Sequence, residues 1–186
     1  YLDCDIVVKS DVAELYNTDL EGNLLAAVHD IDFASQINGY DKKMPAYAQQ
    51  VLKLKDPYGY FQAGVLLFDL AEMRKAHSLR EWLTLASDDY KYSDQDVLNR
   101  YCQGRVKYIG QEWNFLFDNG FSRVRNVLCY APKEMMDEYK RTAAAPKIIH
   151  YAGYAKPWLY LPADWGDDFW SVARTTPFYE ELLFQM

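Results

Sequence analysis

The amino-acid sequence predicts an α/β fold, in which helices pack on a sheet. Short apolar runs alternate along the chain with segments whose apolar residues recur at helical spacing. The 186 residues are 50% hydrophobic and 16% aromatic, which suffices for one core, and the length favours one domain. In layered folds of this class, ligands gather outside the carboxyl ends of the strands. We therefore expect the functional residues at that edge.

The strands are predicted from apolar runs that end at turn-forming or acidic residues. The first run contains the β-formers Ile6–Val8, and the second is followed directly by His29 and Asp30. The turn Pro57-Tyr58-Gly59 comes before the third run. In chain order, the predicted strands are 1–8, 24–28, 65–70, 106–109 and 147–151.

The helices are predicted from apolar periodicity and from N-cap signals. Ser10 and Ser93 are the predicted N-caps of two helices, and Asp94 and Asp96 in the first turn of the second favour its dipole. The stretch 37–56 is polar and punctuated by Gly and Pro, which predicts a loop with a short helix. In chain order, the predicted helices are 10–16, 71–85, one that begins at 93, and 132–141, the last followed by a small-residue connection at 142–145.

The composition excludes some classes of partner. The net charge is −7 and the pI is about 4.9, so no basic stripe exists to neutralise a nucleic-acid backbone or to hold an anionic membrane surface. We expect no nucleic-acid partner and at most peripheral membrane association. The 16 Tyr, 9 Phe and 5 Trp residues form a density of rings that is common in carbohydrate sites, although a large core with a Tyr-rich surface is the more ordinary explanation.

The cysteines indicate a reducing compartment. Cys4, Cys102 and Cys129 are odd in number, widely spaced and without a C-x-x-C pattern, which favours free core thiols over disulfides or a zinc site. No run approaches the roughly 20 apolar residues that cross a bilayer, and the N-terminus shows no signal peptide. The predicted location is the cytoplasm, with the cytoplasmic face of the inner membrane as one place within it.

Two acidic residues near the start of the chain are candidate metal ligands. Asp3 and Asp5 flank Cys4 in the predicted first strand. Because side chains alternate along a strand, the two carboxylates would lie on the same side, about 7 Å apart at Cβ. Two hard oxygen ligands can then converge on one cation, and His150 can add an imidazole that favours Mn²⁺ or a similar metal. A solvated turn and a hydrogen-bonded strand-end histidine are the ordinary alternatives.

A basic segment near the other end of the chain is a candidate phosphate site. In HYAGYAKPW, Gly153 permits close backbone approach and Lys156 offers a point charge to phosphate. An ordinary surface turn is the alternative. With the acidic pair, this segment suggests a divalent metal and diphosphate site, and hence a reaction of a nucleotide sugar.

The candidate residues share the predicted edge of the sheet. In chain order they are Asp3 and Asp5 on the first strand, Asp30 at the end of the second, Gln62, Ala63 and Gly64 before the third, Asp94 and Gln95 at a helix entrance, and His150 at the end of the last strand. Their common placement is more informative than any one of them.

The order of several motifs resembles that of family 8 glycosyltransferases, which are retaining enzymes with a GT-A fold related to bacterial lipopolysaccharide galactosyl- and glucosyltransferases and to glycogenin. The motifs are YLDCDIVV, YFQAGVLLFDL, SDQDVLN, EWN and IIHYAGYAKPW, and the trailing FWSVARTTPFYE is also similar. A lone D-x-D has almost no specificity, whereas several motifs in order are specific. The resemblance implies a Rossmann-like GT-A fold with a mixed sheet flanked by helices.

The resemblance assigns roles to matching positions. Asp3, Asp5 and His150 match the ligands of Mn²⁺ or Mg²⁺, which binds together with the donor diphosphate. Gly153 and Lys156 match positions that contact the diphosphate through backbone N–H and ammonium. Negative charge grows on the departing nucleoside diphosphate, so the metal and the lysine stabilise the transition state.

Other matching positions surround the transferred sugar: Asp30, Gln62, Ala63, Gly64, Asp94 and Gln95. Gln95 is nearest the reacting face, and because an amide is a poor nucleophile, retention is expected through same-face internal return with Gln95 stabilising positive charge. A covalent intermediate stays open as the alternative. Gln62 departs from the Asn that is usual in the family, and its longer side chain alters the detail of sugar recognition.

The resemblance also implies that part of the domain is missing. Family members begin with a strand and loop that hold the uracil and ribose, whereas this chain starts at Tyr1 inside a strand, so we expect a partial catalytic domain at 1–158 with an open sheet edge. An aromatic-rich extension at 159–186 is expected to pack on or next to it. Inactivity of this piece alone is an open alternative.

The expected activity of the parent protein is metal-dependent transfer of galactose or glucose from a UDP-sugar to a hydroxyl of an oligosaccharide, lipid-linked or protein-linked glycan. Synthesis of cell-surface polysaccharide or lipopolysaccharide is the preferred setting. A sugar-nucleotide-binding module without turnover is the second hypothesis. A metal-dependent phosphoesterase ranks last, because the sequence lacks the carboxylate spacing of a two-metal cluster.

Overall fold

The computed structural model describes residues 1–116, 122–153, 156–159 and 165–184 of the chain. Within these residues the strands form two three-stranded sheets. In chain order, the strands are β1 (Ile6–Val8), β2 (Leu25–His29), β3 (Phe61–Phe68), β4 (Val106–Tyr108), β5 (Phe115–Leu116) and β6 (Ile148–His150).

Both sheets are mixed, as the resemblance implied. In the first sheet, β6 lies between β1 and β5, antiparallel to β1 and parallel to β5. In the second sheet, β2 lies between β3 and β4, antiparallel to β3 and parallel to β4. The parallel pairs require crossovers, which the helices supply.

Most helices lie between strands in sequence, and the last two follow β6. They are α1 (Ala13–Tyr16), α2 (Ile31–Ser35), α3 (Met44–Gln50), α4 (Leu70–Ala76), α5 (Leu79–Leu85), α6 (Ser93–Cys102), α7 (Ser122–Tyr130), α8 (Lys133–Thr142), α9 (Gly166–Ala173) and α10 (Tyr179–Phe184). Two 3₁₀ turns, Pro57–Gly59 and Gln111–Trp113, and a π-helical turn, Gln36–Tyr40, complete the set.

The core is built around β2. Leu25, Ala26 and Ala27 of this strand are 0% exposed, because β3 and β4 cover both of its edges. Met73 of α4 and Trp82 of α5 pack on the same cluster. A central strand buried on both faces is expected to be an apolar run without alternation, and the run LLAAV has that character.

The N-terminal segment crosses from one sheet to the other, which corrects the predicted continuous strand 1–8. Leu2 forms an antiparallel bridge with Val65 of β3 in the second sheet. The chain then bends, and β1 pairs with β6 in the first sheet. The segment Asp3-Cys4-Asp5 therefore lies at the junction of the two sheets, because each sheet satisfies the backbone hydrogen bonds of a different part of the segment.

Strand β3 begins earlier than the predicted strand 65–70. Gln62, Ala63 and Gly64 lie inside it instead of before it. Gln62 pairs with Val28 of β2, whereas the N–H groups of Ala63 and Gly64 donate to the side chains of Gln95 and Gln62. The strand ends at Phe68, since the Asp69 carboxylate accepts hydrogen bonds from two N–H groups of α4 and caps that helix.

The predicted helix 71–85 is two helices, α4 and α5. His77 between them has an extended backbone. Ser78 starts α5 with a capping box, in which its hydroxyl accepts from the Glu81 N–H at 3.3 Å and the Glu81 carboxylate accepts from the Ser78 N–H at 2.7 Å. The local capping signal interrupts a pattern whose apolar spacing continues.

The two predicted serine N-caps are wrong. Helix α1 begins at Ala13, and the carboxylate of Asp11, instead of the Ser10 hydroxyl, accepts the Ala13 N–H at 2.8 Å. Ser93 is the first residue of α6 and has φ +49°. The carboxylate of Asp96 accepts a hydrogen bond from the N–H of Tyr92, the residue before Ser93, at 2.7 Å.

The C-terminal helix α9 contacts the first sheet. The Phe169 ring meets the Tyr151 ring edge-to-face, with centroids 6.3 Å apart, and the Tyr151 hydroxyl donates to the Trp165 carbonyl at 2.7 Å. These contacts involve the predicted extension 159–186, of which 160–164, 185 and 186 lie outside the described residues. Its boundary stays a prediction.

Two smaller predictions have mixed outcomes. The three cysteines are free thiols, but only Cys102 is buried, and Cys4 and Cys129 are exposed. The helix predicted at 132–141 extends by one residue into the predicted connection, because α8 ends at Thr142.

Among the described residues, no helix combines the length and the apolar character needed to cross a bilayer.

Candidate functional site

A cavity of about 350 Å³ lies where the sheet junction faces α2 and the start of α6. Most of the residues predicted to surround a sugar line it. The lining consists of Tyr1, Asp3, Asp30, Asp32, Phe33, Gln36, Gln62, Ala63, Gly64, Tyr92, Ser93, Asp94, Gln95, Leu116 and Ala152. The size suits a small ligand of several polar groups.

The three predicted metal ligands lie together on one side of this cavity. Ligand atoms of Asp3, Asp5 and His150 are all within 4.8 Å of one another. The His150 Nε2 atom is 3.2 Å from Asp5 Oδ1 and 3.5 Å from Asp3 Oδ2. His150 is 2% exposed, so the ring is fixed by packing while the carboxylates remain partly accessible.

The sheet junction, and not strand alternation, brings the two carboxylates together. The Asp3 N–H donates to the Gly64 carbonyl at 2.8 Å in the second sheet, whereas the Asp5 carbonyl accepts from the Tyr151 N–H at 2.9 Å in the first. The Tyr1 hydroxyl donates to Asp3 Oδ1 at 2.7 Å, and this bond raises the pKa of Tyr1 to about 12. One carboxylate oxygen of Asp3 is thereby held, and the other faces His150.

A chain of directed hydrogen bonds fixes the tautomer of His150. The Gly64 N–H can only donate, and it donates to Gln62 Oε1. Asn114 Nδ2 donates to the same oxygen at 3.0 Å, so Asn114 Oδ1 faces His150 Nδ1 at 2.9 Å. His150 therefore carries a proton on Nδ1, and Nε2 is the ring atom that faces the two carboxylates.

This donor set fits a divalent cation. The two carboxylate oxygens and the imidazole nitrogen, 3.2 and 3.5 Å apart, are stable together only when positive charge lies among them. Donor atoms in adjacent positions of an octahedron, each bound at about 2.1 Å, would lie about 3 Å apart, close to these separations. Two carboxylates and one imidazole suit Mn²⁺ or Mg²⁺ better than a thiophilic metal. Asn114 contacts the other ring nitrogen of His150, as the outer-shell partner of a ligating histidine does.

Gly64 is required by the close approach of strand β3 to the histidine. A Cβ at this position would lie 2.6 Å from His150 Nδ1 and 2.8 Å from Gln62 Oε1, shorter than van der Waals contact. The absence of a side chain therefore lets the ring sit against the strand.

Lys156 reaches the acidic pair from the segment after β6. Its ammonium donates to Asp5 Oδ2 at 2.6 Å and to the Tyr151 carbonyl at 2.5 Å. Partial burial opposes ionisation of Asp5, but its close contacts with His150 and with the Lys156 ammonium outweigh it and hold the pKa of Asp5 well below its usual range. Gly153 lies three residues beyond the end of β6, ahead of 154 and 155, which lie outside the described residues.

Gln95 and Asp30 form the opposite wall of the cavity. Asp30 is the N-cap of α2, where its Oδ1 accepts from the Phe33 N–H at 2.9 Å. Its Oδ2 accepts from Gln95 Nε2 at 3.0 Å, and Gln95 Oε1 accepts from the Ala63 N–H at 2.9 Å. Asp94 is exposed in the first turn of α6 and also lines the cavity.

The charge of the lining restricts the ligand. Among the described residues, the lining includes the carboxylates of Asp3, Asp30, Asp32 and Asp94 and no lysine or arginine. Such a surface repels a bare diphosphate and favours hydroxyl-rich or cationic groups. An anionic ligand therefore requires a bound cation, and the Asp3, Asp5 and His150 cluster is placed to hold one.

Sequence analysis missed the supporting residues Asn114, Tyr60 and Asp96. Asn114 lies in the EWN triplet, and Asp96 was interpreted only as a favourable charge in a helix turn. Tyr60 contacts Gln95 through its hydroxyl at 3.1 Å. Two of these residues lie next to motif residues, which indicates a place near the site: Asn114 follows Trp113, and Asp96 follows Gln95. Sequence spacing alone, however, does not show which atom donates each hydrogen bond.

Comparison with known proteins agrees with this site. The glycosyl transferase family 8 model matches residues 1–161. A lipopolysaccharide 1,2-glucosyltransferase of Escherichia coli (strain K12) is 30% identical over 164 residues, which cover 85% of this chain and 43% of that protein. This chain therefore spans less than half the length of that relative.

Solved structures give the same answer for the fold. The apo structure of the bifunctional glycosyltransferase WbbM matches with a TM-score of 0.87 and 29% identity, covering 100% of this chain and 34% of that one. The galactosyltransferase LgtC, in complex with donor and acceptor sugar analogues, matches with a TM-score of 0.66 and 29% identity, covering 92% and 58%. The predicted GT-A fold is confirmed, and the match to the family model over 1–161 shows that the chain belongs to glycosyl transferase family 8.

Proposed function

We propose that the protein to which this chain belongs transfers a hexose, galactose or glucose, from a UDP-sugar to a hydroxyl of a glycan acceptor. The proposed reaction depends on Mn²⁺ or Mg²⁺ and retains the configuration of the anomeric carbon. The observation that carries the proposal is the cluster of Asp3, Asp5 and His150 beside a polar cavity whose far wall presents Gln95 and Asp30.

The metal end of the cavity is proposed to bind the donor diphosphate. Asp3, Asp5 and His150 would hold the cation, which supplies Lewis-acid stabilisation of negative charge on the leaving group. Lys156 already lies 2.6 Å from Asp5 and adds positive charge at the same place. Gly153, three residues beyond β6, is proposed to contact the diphosphate through its backbone N–H, since it lacks a side chain that would block approach.

The far wall is proposed to bind the hexose. The carboxylates of Asp30 and Asp94 can accept hydrogen bonds from sugar hydroxyls, and the strand backbone at Gln62, Ala63 and Gly64 borders the same space. Positive charge develops on the anomeric carbon as the leaving group departs. The Gln95 amide oxygen can stabilise that charge. Because an amide is a weak nucleophile, we propose that the acceptor hydroxyl attacks the anomeric carbon from the same face that the leaving group departs from.

The acceptor class is proposed from the relatives. Those with the cited matches include a lipopolysaccharide 1,2-glucosyltransferase and the galactosyltransferase LgtC. We therefore propose an oligosaccharide or lipid-linked glycan of the cell surface as the acceptor, with synthesis at the cytoplasmic face of the membrane.

The test uses the intact protein with UDP-glucose and UDP-galactose, a glycan acceptor, and Mn²⁺ or excess chelator. We expect donor turnover only with the metal, and His150→Ala should lower it by at least about 100-fold because the metal loses a ligand. His77→Ala is the matched control, since His77 follows α4 and lies outside the cavity lining.

Chelator-insensitive turnover, or a folded His150→Ala variant with wild-type turnover, would remove the metal assignment. Metal-dependent UDP binding without transfer or hydrolysis of any donor would instead support the sugar-nucleotide-binding module.

A further inference from the structure

We propose that Tyr60 and Asp96 are positioning residues that hold the amide of Gln95 in one orientation, with Asp96 acting through Tyr60. The inference rests on the proposed function for its catalytic meaning, because it concerns the side chain that faces the donor sugar. It assigns a role to a buried carboxylate that the site itself does not use.

Asp96 is a fully buried carboxylate whose two oxygens are both occupied. It is 0% exposed, and Oδ1 accepts from the Tyr60 hydroxyl at 2.7 Å. Oδ2 accepts from the Tyr47 hydroxyl and from the Tyr92 N–H, each at 2.7 Å. A buried carboxylate requires such donors to offset its desolvation, so the network fixes the direction of each hydroxyl.

Tyr60 passes this direction on to Gln95. Because its hydroxyl proton is committed to Asp96, only lone pairs of its oxygen remain for another partner, and Gln95 Nε2 donates to that oxygen at 3.1 Å. Burial, together with the charges of Asp96 and Asp30, raises the pKa of Tyr60 far above its usual range, so the hydroxyl remains a donor. The ring is also stacked on Phe33, with centroids 3.7 Å apart.

The other contacts of Gln95 require the same orientation of the amide. Its Nε2 also donates to Asp30 Oδ2 at 3.0 Å, and its Oε1 accepts from the Ala63 N–H at 2.9 Å. A flipped amide would place an oxygen against a carboxylate and an NH₂ group against a backbone N–H. This orientation leaves one lone pair of Gln95 Oε1 for a ligand. A lone pair of this kind can stabilise positive charge that develops on the ligand.

The backbone of Gln95 is held as firmly as its side chain. Asn99, one helical turn later, donates from Nδ2 to the Gln95 carbonyl at 2.9 Å and to the Phe61 carbonyl at 2.7 Å. Its Oδ1 accepts from the Phe61 N–H at 2.7 Å. Helix α6 is thereby joined to strand β3, and Tyr60 and Asp30 together hold the NH₂ end of the amide.

The test compares Tyr60→Phe with Tyr47→Phe in the intact protein. Each variant removes one hydroxyl donor to Asp96, but only Tyr60 touches Gln95. We expect Tyr60→Phe to lower kcat about ten-fold or more with the donor KM within about two-fold, as for an interaction made in the transition state. Tyr47→Phe should lower the thermal midpoint similarly while kcat stays within about two-fold. Equal loss of kcat in both variants, or none in Tyr60→Phe, would overturn the proposal.

A second measurement does not depend on activity. In spectra of protein labelled with ¹⁵N in glutamine side chains, the Gln95 amide signals are identified by their loss in Gln95→Ala. We expect them to shift in Tyr60→Phe and to stay in place in Tyr47→Phe. If the wild type shows neither transfer nor donor hydrolysis, the proposed function fails while this shift still supports the positioning role, and unmoved signals in Tyr60→Phe contradict it.

Discussion

At the residue scale, consecutive backbone N–H groups of strand β3 set the direction of both side-chain amides at the site. The Gly64 N–H donates to Gln62 and the Ala63 N–H donates to Gln95. A backbone N–H cannot reverse its polarity, so each amide turns its oxygen to the strand. The Gln62 oxygen then also accepts from Asn114 Nδ2, and the Gln95 NH₂ group donates to Asp30. The strand thereby determines the polarity of the metal end and of the sugar end together.

Replacement of Asn114 tests the metal end. In Asn114→Ala the His150 ring loses the acceptor for its Nδ1–H, which lies 2.9 Å away, so the tautomer with a free Nε2 is no longer favoured. We expect Mn²⁺ affinity to fall about 10- to 100-fold, the usual effect of removing an outer-shell partner. Calorimetric titration of Mn²⁺ into the intact protein measures it, with Asn38→Ala, an exposed asparagine, as the control. Unchanged affinity would show that packing alone orients the ring.

His29 predicts a pH dependence of stability. Burial lowers the pKa of this ring, against a weaker opposing effect of its contact with the Tyr58 carbonyl, so the folded state favours the neutral form. The unfolded ring titrates near pH 6.5, the usual value for a solvated histidine. The stability contributed by the neutral ring is therefore complete above that pH and is lost as pH falls through it toward the lower folded pKa.

We expect His29→Phe to remove part of the fall in unfolding free energy between about pH 7 and pH 5, because Phe keeps the stack on Tyr108, whose centroid lies 3.8 Å from the His29 ring. Urea denaturation at several pH values measures the difference, with His77→Phe as the control. A constant gap between wild type and His29→Phe over this range would contradict the prediction.

At the scale of elements, the sequence predicts well where the local pattern and the tertiary environment agree. Strands β2, β4 and β6 lie within one or two residues of the predicted runs, because they are apolar and bounded by turns or acids. The two-residue strand β5 has no such pattern and exists through pairing with β6. The bend at Asp3-Cys4-Asp5 was not predictable, because it arises from competition between two sheets for backbone hydrogen bonds.

The candidate site likewise has one part that could be predicted from the sequence and one part that could not. The cluster of Asp3, Asp5 and His150 could be predicted from residue types and a recognisable order of motifs, since metal ligation limits the choice of side chain. The roles of Tyr60 and Asp96 could not, because they depend on which atom donates in a chain of contacts. That information exists only when the partners have positions in space.

The break between α4 and α5 gives a prediction at this scale. In Ser78→Ala, the Glu81 N–H loses its acceptor and the capping box is lost. We expect the free energy of unfolding to fall by about 1 kcal/mol. Ser87→Ala is a matched control, because that hydroxyl donates to the Thr84 carbonyl at an exposed position beyond the end of α5. Denaturant unfolding compares the two variants, and equal effects would show that the cap does not determine where α5 begins.

At the scale of the molecule, the two sheets act as one support for the site. A cluster of Val28, Val65, Trp113 and Ile148, all buried, contains residues of both sheets. The proposed metal ligands come from the junction and from β6, whereas Gln95 comes from α6, which packs on β3. A substitution that destabilises one sheet should therefore disturb the site residues at both ends of the cavity.

Helix α9 allows this coupling to be tested at a distance from the cavity. It packs on the first sheet through Phe169, whose ring also lies 5.0 Å from that of Trp158. Tyr151, which the Phe169 ring contacts, follows the proposed metal ligand His150 in sequence. Removing the Phe169 ring should therefore destabilise β6, the strand that carries His150. Phe184 on α10 is 92% exposed and provides the same substitution without packing.

We expect Phe169→Ala to lower the free energy of unfolding by about 2 kcal/mol, less than a fully buried Phe because the ring is only half-buried, and to leave a single unfolding transition. Phe184→Ala should change it by less than about 0.5 kcal/mol. Denaturant unfolding followed by tryptophan fluorescence and by circular dichroism measures both. If Phe169→Ala instead separates an early transition from an unchanged main one, α9 would be a unit that melts alone, and the strand that presents His150 would draw its rigidity from β1 and β5.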